Sequence, residues 1–189
     1  VVYAEPVVAR ALAESVKASG EIDPRVKVNI SAHVIGKIQK MYAVEGQPIR
    51  AGQPFLELEK EAFLAQWEQW AAQLSSAQTA AHRAEVTLAD ARNKLARARK
   101  LSEDGIVSRE QLEAAEIQET STRLALDEAR QAIRQAQANL DNAKDELVKT
   151  TIYAPLSGTV IKLNAEEGEV VVSGTMNNAG SVIGTIADL

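Results

Sequence analysis

The chain has 189 residues, 46% hydrophobic and 25% charged, with ten glycines, five prolines and no cysteine. That is enough for one or two domains with a real core, and too ordinary in composition for disorder or a collagen-like repeat. Disulfides and thiolate chemistry are excluded, and a net charge of −5 argues against general nucleic-acid binding. In chain order, the segments Val26–Ile30, Gly36–Tyr42 and Phe55–Glu59 carry β-type patterning and read as short strands. From Phe55 to Ala154 there is then no proline and a single glycine, Gly105. Along the first arm, Phe63, Trp67, Trp70, Leu74, Ala77 and Ala81 open a seam that alternates steps of four and three and runs on to Ala98. The second arm repeats it from Leu126 through Ile133 and Leu140 to Leu147, thinning towards its start, where Glu119 and Thr122 are polar. Between the arms, Asp104-Gly105 is a turn signal, and Ser108 with Gln111 forms a capping box. Helices are expected at about 61–103 and 109–149, each on the order of 60–65 Å long. So short a link makes them antiparallel. One continuous helix in a parallel dimer is the competing reading, and it has to absorb both the Asp-Gly and the capping box.

After the second arm, Thr151–Tyr153, Gly158–Leu163, Val170–Val172 and Ser181–Ile186 read as strands. A shift of 122 residues superimposes the two flanks. It pairs Gly36 with Gly158, Gly46 with Gly168, Gly52 with Gly174, Lys40 with Lys162 and Ile49 with Val171. Each flank is too small to bury a core alone. Joined, they make a β-sandwich with the hairpin inserted between its halves, an α+β fold.

The stretches Ser31-Ala-His-Val-Ile-Gly-Lys-Ile through Val44-Glu-Gly-Gln-Pro-Ile-Arg-Ala-Gly-Gln, and Ala154-Pro-Leu-Ser-Gly-Thr-Val through Glu167-Gly-Glu-Val-Val-Val-Ser-Gly, carry a resemblance. A lipoyl-like (biotinyl-lipoyl) sandwich split by a helical hairpin resembles the periplasmic adaptors, or membrane fusion proteins, of tripartite efflux pumps and type I secretion. These are the HlyD- and MacA-like proteins. The resemblance covers about residues 20–189. It implies a division into residues 1–24, strand of a mostly absent β-barrel domain; 25–60 with 150–189, the split lipoyl-like domain; and 61–149, the hairpin with its tip near 104–108. It also implies a periplasmic location with an inner-membrane anchor on a segment absent from this chain. The N-terminus itself does not read as a signal peptide, and no run reaches the roughly 18 apolar residues of a membrane span.

Two places for function follow. The family carries Arg-x3-Leu-x6-Ser at its tip, and Arg97, Leu101 and Ser108 stand at that spacing. The seam after Ala98 falls on Ser102, so Leu101 lies off the stripe, one turn from Arg97 on the same face. The resemblance implies that these residues engage an outer-membrane TolC-type channel. The bland alternative makes Ser108 only a cap, Leu101 a closure of the hairpin end and Arg97 a partner of some acid. The second place is the loop Ser173–Gly180, where the halves differ in length. The family's ring of six implies that Asn177 and Asn178 line the channel as a gate, against plain turn chemistry.

Catalytic readings are weaker. A lipoyl or biotin carrier presents its lysine at the turn between the halves, which here leaves only Lys60, without the flanking methionines of a biotinyl site. His33 and His82 have no liganding neighbours at metal spacing, and Met41 and Met176 are too few for a methionine-based copper or silver site. The expectation is a non-enzymatic adaptor without cofactor or metal. Its implied partners are a TolC-type channel and an inner-membrane transporter, within a homo-hexamer and with no nucleic acid. The Gly-Thr-Met-Asn-Asn…Thr-Ile-Ala-Asp-Leu ending and the hairpin length look most like adaptors of ABC macrolide exporters, with proton-driven (RND) pumps as runner-up. A non-transport coiled-coil scaffold shares the fold and differs only in partner.

Overall fold

The computed structural model describes residues 1–6, 24, 26–174 and 180–188. Four strands precede the hairpin: β1 (Val26–Ser31), β2 (Gly36–Met41), β3 (Pro48–Ile49) and β4 (Pro54–Leu58). The hairpin is α1 (Glu61–Glu103) and α2 (Arg109–Lys149), and four more strands follow it: β5 (Thr151–Tyr153), β6 (Gly158–Leu163), β7 (Val170–Val171) and β8 (Val182–Asp188). Most of residues 1–24, where a barrel strand was expected, lie outside the described residues.

Both helices run between the bounds that the periodicity sets. Their burial follows the seam: Ala81, Leu88, Ala91 and Leu95 are buried on α1, and Leu126, Ala136 and Ala143 on α2. The polar seam positions do not interrupt it. Thr122 is buried, its hydroxyl donating to the carbonyls of Gln118 and Glu119 one turn back. Glu119 is mostly covered and accepts from Arg92 Nε on the other arm at 3.2 Å. A hydroxyl satisfied by its own helix and a carboxylate paired across the groove meet the condition for burying polar groups. Arg99 reaches Glu116 in the same way at 3.0 Å, so these two pairs set the basic end of α1 against the acidic start of α2.

The sandwich is two four-stranded antiparallel sheets, ordered β1-β8-β6-β3 and β5-β4-β2-β7. The shift of 122 residues carries β2 onto β6 and β3 onto β7, and brings β1 close to β5. In the two strand orders, β8 takes the place that β4 holds in the other sheet. A pseudo-twofold therefore exchanges the sheets, and each sheet takes strands from both halves. Neither half closes a sheet by itself, so the sandwich is complete only with strands from both ends of the hairpin. Phe55, Leu56, Leu58, Ile183 and Ile186 are wholly buried between the layers. β4 carries three of these apolar residues, the pattern of a central strand.

Strand ends differ from the sequence reading by one or two residues, and β3 is an addition to it. Pro48 lacks an N–H and argues against a strand. The pairing goes around it: Val160 N donates to Gln47 O at 3.1 Å and Gly46 N to Val160 O at 2.8 Å.

Candidate docking tip and the hairpin base

The tip is built by two opposed caps. At the end of α1, Gly105 turns left-handed (φ 73°). Its N–H donates to Ser102 O at 3.1 Å, and Ile106 N–H reaches Leu101 O at 2.9 Å. This crossed pair is the Schellman motif, and it needs the left-handed residue that glycine supplies without steric cost. At the start of α2, Ser108 Oγ accepts from Gln111 N–H at 3.3 Å, and Gln111 Oε1 accepts from Ser108 N–H at 3.2 Å. With both helix ends satisfied by backbone bonds and by the Ser108 and Gln111 side chains, the turn does not need the side chains of Arg97 or Leu101.

Those two side chains stay outward. Leu101 is 40% exposed. Arg97 is exposed and has no carboxylate within 4.0 Å among the described residues, while Arg92, Lys94 and Arg99 are paired with Glu119, Asp90 and Glu116. Ser108 sits across the turn from them as the N-cap, its oxygen engaged and its hydroxyl proton available to donate. The structure adds Ile106, 69% exposed between the two caps. The signal in the sequence was a large apolar residue directly after Asp-Gly, where turn chemistry favours polar ones.

At the other end, the hairpin is clamped to the sandwich. Leu58 N donates to Thr150 O at 2.9 Å, joining the two points where the chain leaves and returns. Thr150 is wholly buried and its hydroxyl donates to Leu147 O at 2.6 Å. Lys60, at the N-cap of α1, is bound to Glu57 at 2.6 Å, and Glu57 also accepts from the Tyr42 hydroxyl at 2.8 Å. The Lys60 ammonium and the Tyr42 hydroxyl hold the Glu57 carboxyl below its ordinary range, and the same bond to Glu57 pushes the Tyr42 hydroxyl up. Lys60 thus acts as a brace at the junction.

Asn177 and Asn178 lie outside the described residues. The neck of their loop is described: Ser181 N donates to Val172 O at 3.1 Å. A side chain added at Gly180 would meet Gly174 N at 2.3 Å, so the loop's ends touch. Met41 packs against the core and Met176 is outside the described residues. His82 Nδ1 stands 4.0 Å from Glu85, and His33 borders a shallow groove with Ser31 and Tyr153. Among the described residues no three histidine or carboxylate side chains cluster to hold a metal, and no helix is long and apolar enough to cross a membrane.

Residues 26–183, which hold the split sandwich and the capped hairpin, match the family described as "RND MFP, barrel-sandwich hybrid domain". The chain belongs to the membrane fusion proteins, the periplasmic adaptors. This adaptor is 32% identical over 159 residues to the pyoverdine export membrane fusion protein PvdR of Pseudomonas aeruginosa, covering 83% of the chain and 40% of that protein. It is 30% identical over 148 residues to the multidrug resistance protein MdtA of Yersinia pestis, covering 78% of the chain and 30% of MdtA. The chain therefore spans less than half the length of either relative. Among solved structures, MacA from Actinobacillus actinomycetemcomitans superimposes with a TM-score of 0.81 at 26% identity, over 88% of the adaptor and 51% of MacA. Its relatives are named for membrane fusion and drug resistance, and none of these names describes an enzyme.

Proposed function

We propose that the chain is the channel-facing part of a non-catalytic periplasmic adaptor in a tripartite efflux transporter. In this reading it stands in the periplasm, tied to the inner membrane by a segment outside the chain. Six copies form a ring, the hairpin tips dock an outer-membrane TolC-type channel, and the sandwiches seal the conduit. The single observation that carries the docking role is the state of Arg97 and Leu101. They are a cation with no carboxylate within 4.0 Å among the described residues and an exposed leucine, one turn apart, beside a turn that is fully capped without their side chains. Arginine donates to carbonyls or carboxylates of the channel, leucine fills a groove, and the Ser108 hydroxyl donates alongside.

Capture of a TolC-type channel by the immobilised adaptor tests this. Leu101→Ser and Arg97→Ala are each expected to lower capture by roughly tenfold, with stability changed by less than about 0.5 kcal/mol. Equal capture by the parent and Leu101→Ser, with the hairpin still helical by circular dichroism, favours the scaffold reading instead.

For the inner-membrane partner, we favour an ABC transporter of the macrolide-exporter kind. The likeness to MacA supports it, since it covers 88% of the chain. The proton-driven alternative draws on the family description, which names RND. Capture of each transporter class by the same adaptor separates them. In the conduit, Asn177 and Asn178 are proposed as an amide constriction, and unchanged substrate flux after replacing both with alanine in a reconstituted pump rejects that role.

A further inference from the structure

The base of the hairpin differs from its tip in the kind of polar residue it carries. Of the twelve asparagines and glutamines on the two helices, nine lie within 66–78 and 131–142. Both tryptophans, Trp67 and Trp70, stand in the first of these stretches. Helix-surface pairing accounts for part of the amide set. Gln131 accepts from Arg134 Nε at 3.2 Å, Gln135 donates to Asn139 Oδ1 at 3.2 Å, and Gln137 donates to Asp141 Oδ1 at 3.0 Å.

Two of the other amides meet at one place. Gln66 and Trp70 from α1, with Asn139, Asn142, Glu146 and the buried Ala143 from α2, line a groove of about 150 Å³. Counted from the turn at Glu103 and Arg109, Trp70 is level with Asn142, and Gln66 with Glu146. The two levels are one helical turn apart, ~6 Å along the axis. Trp70 is half-buried, a setting in which an indole N–H usually has a partner. Here it has none among the described residues, and Gln66, Asn142 and Glu146 make no side-chain hydrogen bond or ion pair among them either. Asn139 has its oxygen held by Gln135, which leaves its amide hydrogens to donate.

A ligand for this set needs an apolar face for the indole and a rim that both donates and accepts. A sugar ring has both. Its C–H face packs on an aromatic ring, and its hydroxyls pair with amides or bridge to a carboxylate. No lysine, arginine or histidine borders the groove, so an anion finds no counter-charge. A cation would use Trp70 and Glu146 but leave three amides idle, and one indole does not make an aromatic cage. We propose that this groove binds one unit of a neutral saccharide, Trp70 against the ring and Gln66, Asn142 and Glu146 on its hydroxyls. Both arms border the groove, so it lies on a broad face of the hairpin and is built within one copy. It goes beyond the docking reading and does not depend on it.

Two tryptophans in the chain give two indole N–H signals in a nitrogen-15 NMR spectrum, assigned by the loss of one in Trp70→Phe. Titrated with tri-N-acetylchitotriose and, separately, maltotriose, the Trp70 signal is expected to move with at least one of them. A Kd on the order of 1 mM is expected, as suits a ring of about a dozen heavy atoms in an open groove. Trp67, which does not line the groove, is expected to move less. Asn142→Ala and Glu146→Ala, both at exposed positions, are each expected to weaken binding roughly fivefold with helicity unchanged. A Trp70 signal that stays still with both sugars well above that concentration overturns the site. So does a shift that both variants leave unchanged, or one that choline produces as strongly as the sugars. Co-sedimentation with isolated cell-wall sacculi, lost in Asn142→Ala, identifies wall glycan as the source. A shift with soluble sugar and no co-sedimentation identifies a free or carried sugar, and both results support the site.

Discussion

In the hairpin, the first ties across the arms are close in sequence: Arg99 with Glu116, then Arg92 with Glu119, then the buried leucines Leu88 and Leu126. Each contact shortens the loop for the next, so the arms zip from a capped turn. The sandwich has no such start. β1 pairs with β8, Val26 against Asp188, and β4 pairs with β5 across the whole hairpin, Leu56 against Ile152. These pairings close long loops before any burial repays the lost entropy, unless the hairpin has already brought the ends together. By this loop-closure argument, the inserted element brings together the strands of the domain it interrupts.

Breaking the sandwich is the strongest test of this division. Phe55→Ala removes a wholly buried ring between the sheets, and is expected to cost about 3–5 kcal/mol. In a denaturant titration, the sandwich transition moves to lower concentration while the helical signal survives beyond it. A single coincident transition would show instead that the two regions form one cooperative unit.

The next effect sets one half of the sandwich against the other. A methyl group added at Gly158 falls 2.4 Å from the Ala187 carbonyl oxygen, which is backbone in a paired strand and cannot move aside. At its repeat mate Gly36, the nearest atom is Leu58 Cδ1 at 3.3 Å, on a buried side chain that has to give by only a few tenths of an ångström. Gly158→Ala is expected to destabilise by about 2–3 kcal/mol and Gly36→Ala by less than ~1 kcal/mol, compared by the same titration.

At the tip, Ser108→Ala and Gly105→Ala each remove one cap, at about 1 kcal/mol apiece. Amide exchange is expected to speed up around 101–112 and stay unchanged in the sandwich. Faster exchange in both would mean that the tip also supports the base.

The smallest effect concerns the brace. Glu57 has a lowered folded pKa, so its contribution is present above the ordinary value of 4.5 and is lost as pH falls through the lower folded value. Tyr42 is raised, so its contribution is complete below 10.0 and is lost as pH rises through the higher folded value. Glu57→Gln is therefore expected to flatten the fall in melting temperature on the acid side and the alkaline fall together. Unchanged profiles would show that the brace does not couple the regions.

Legibility followed the same divide. Helix ends, capping box and turn were readable because caps and periodicity are decided within a few residues, and the seam even forecast which side chain, Leu101, would be left outside. Glu119 and Thr122 looked like gaps because their partners, Arg92 and the helix's own carbonyls, do not show in a hydropathy pattern. The strand β3 was hidden by Pro48, although the repeat had already paired Ile49 with Val171, a strand residue. The exchange of strands between sheets had no local signal at all. The repeat says that two halves are alike and is silent on which half each neighbour comes from.

The sequence by itself determined the hairpin and the split domain, because heptads, caps and a repeat of glycines at one offset are properties of the chain as written, and the resemblance of its flanking motifs pointed to the family. Only the tertiary structure decided that the halves interleave, that Gly158 and Gly36 differ in need, and that Arg97 and Leu101 find no partner among the described residues. Each of those depends on which atoms meet across more than a hundred residues, or fail to. Pairing of that kind is settled by packing in three dimensions, after local preferences have been satisfied.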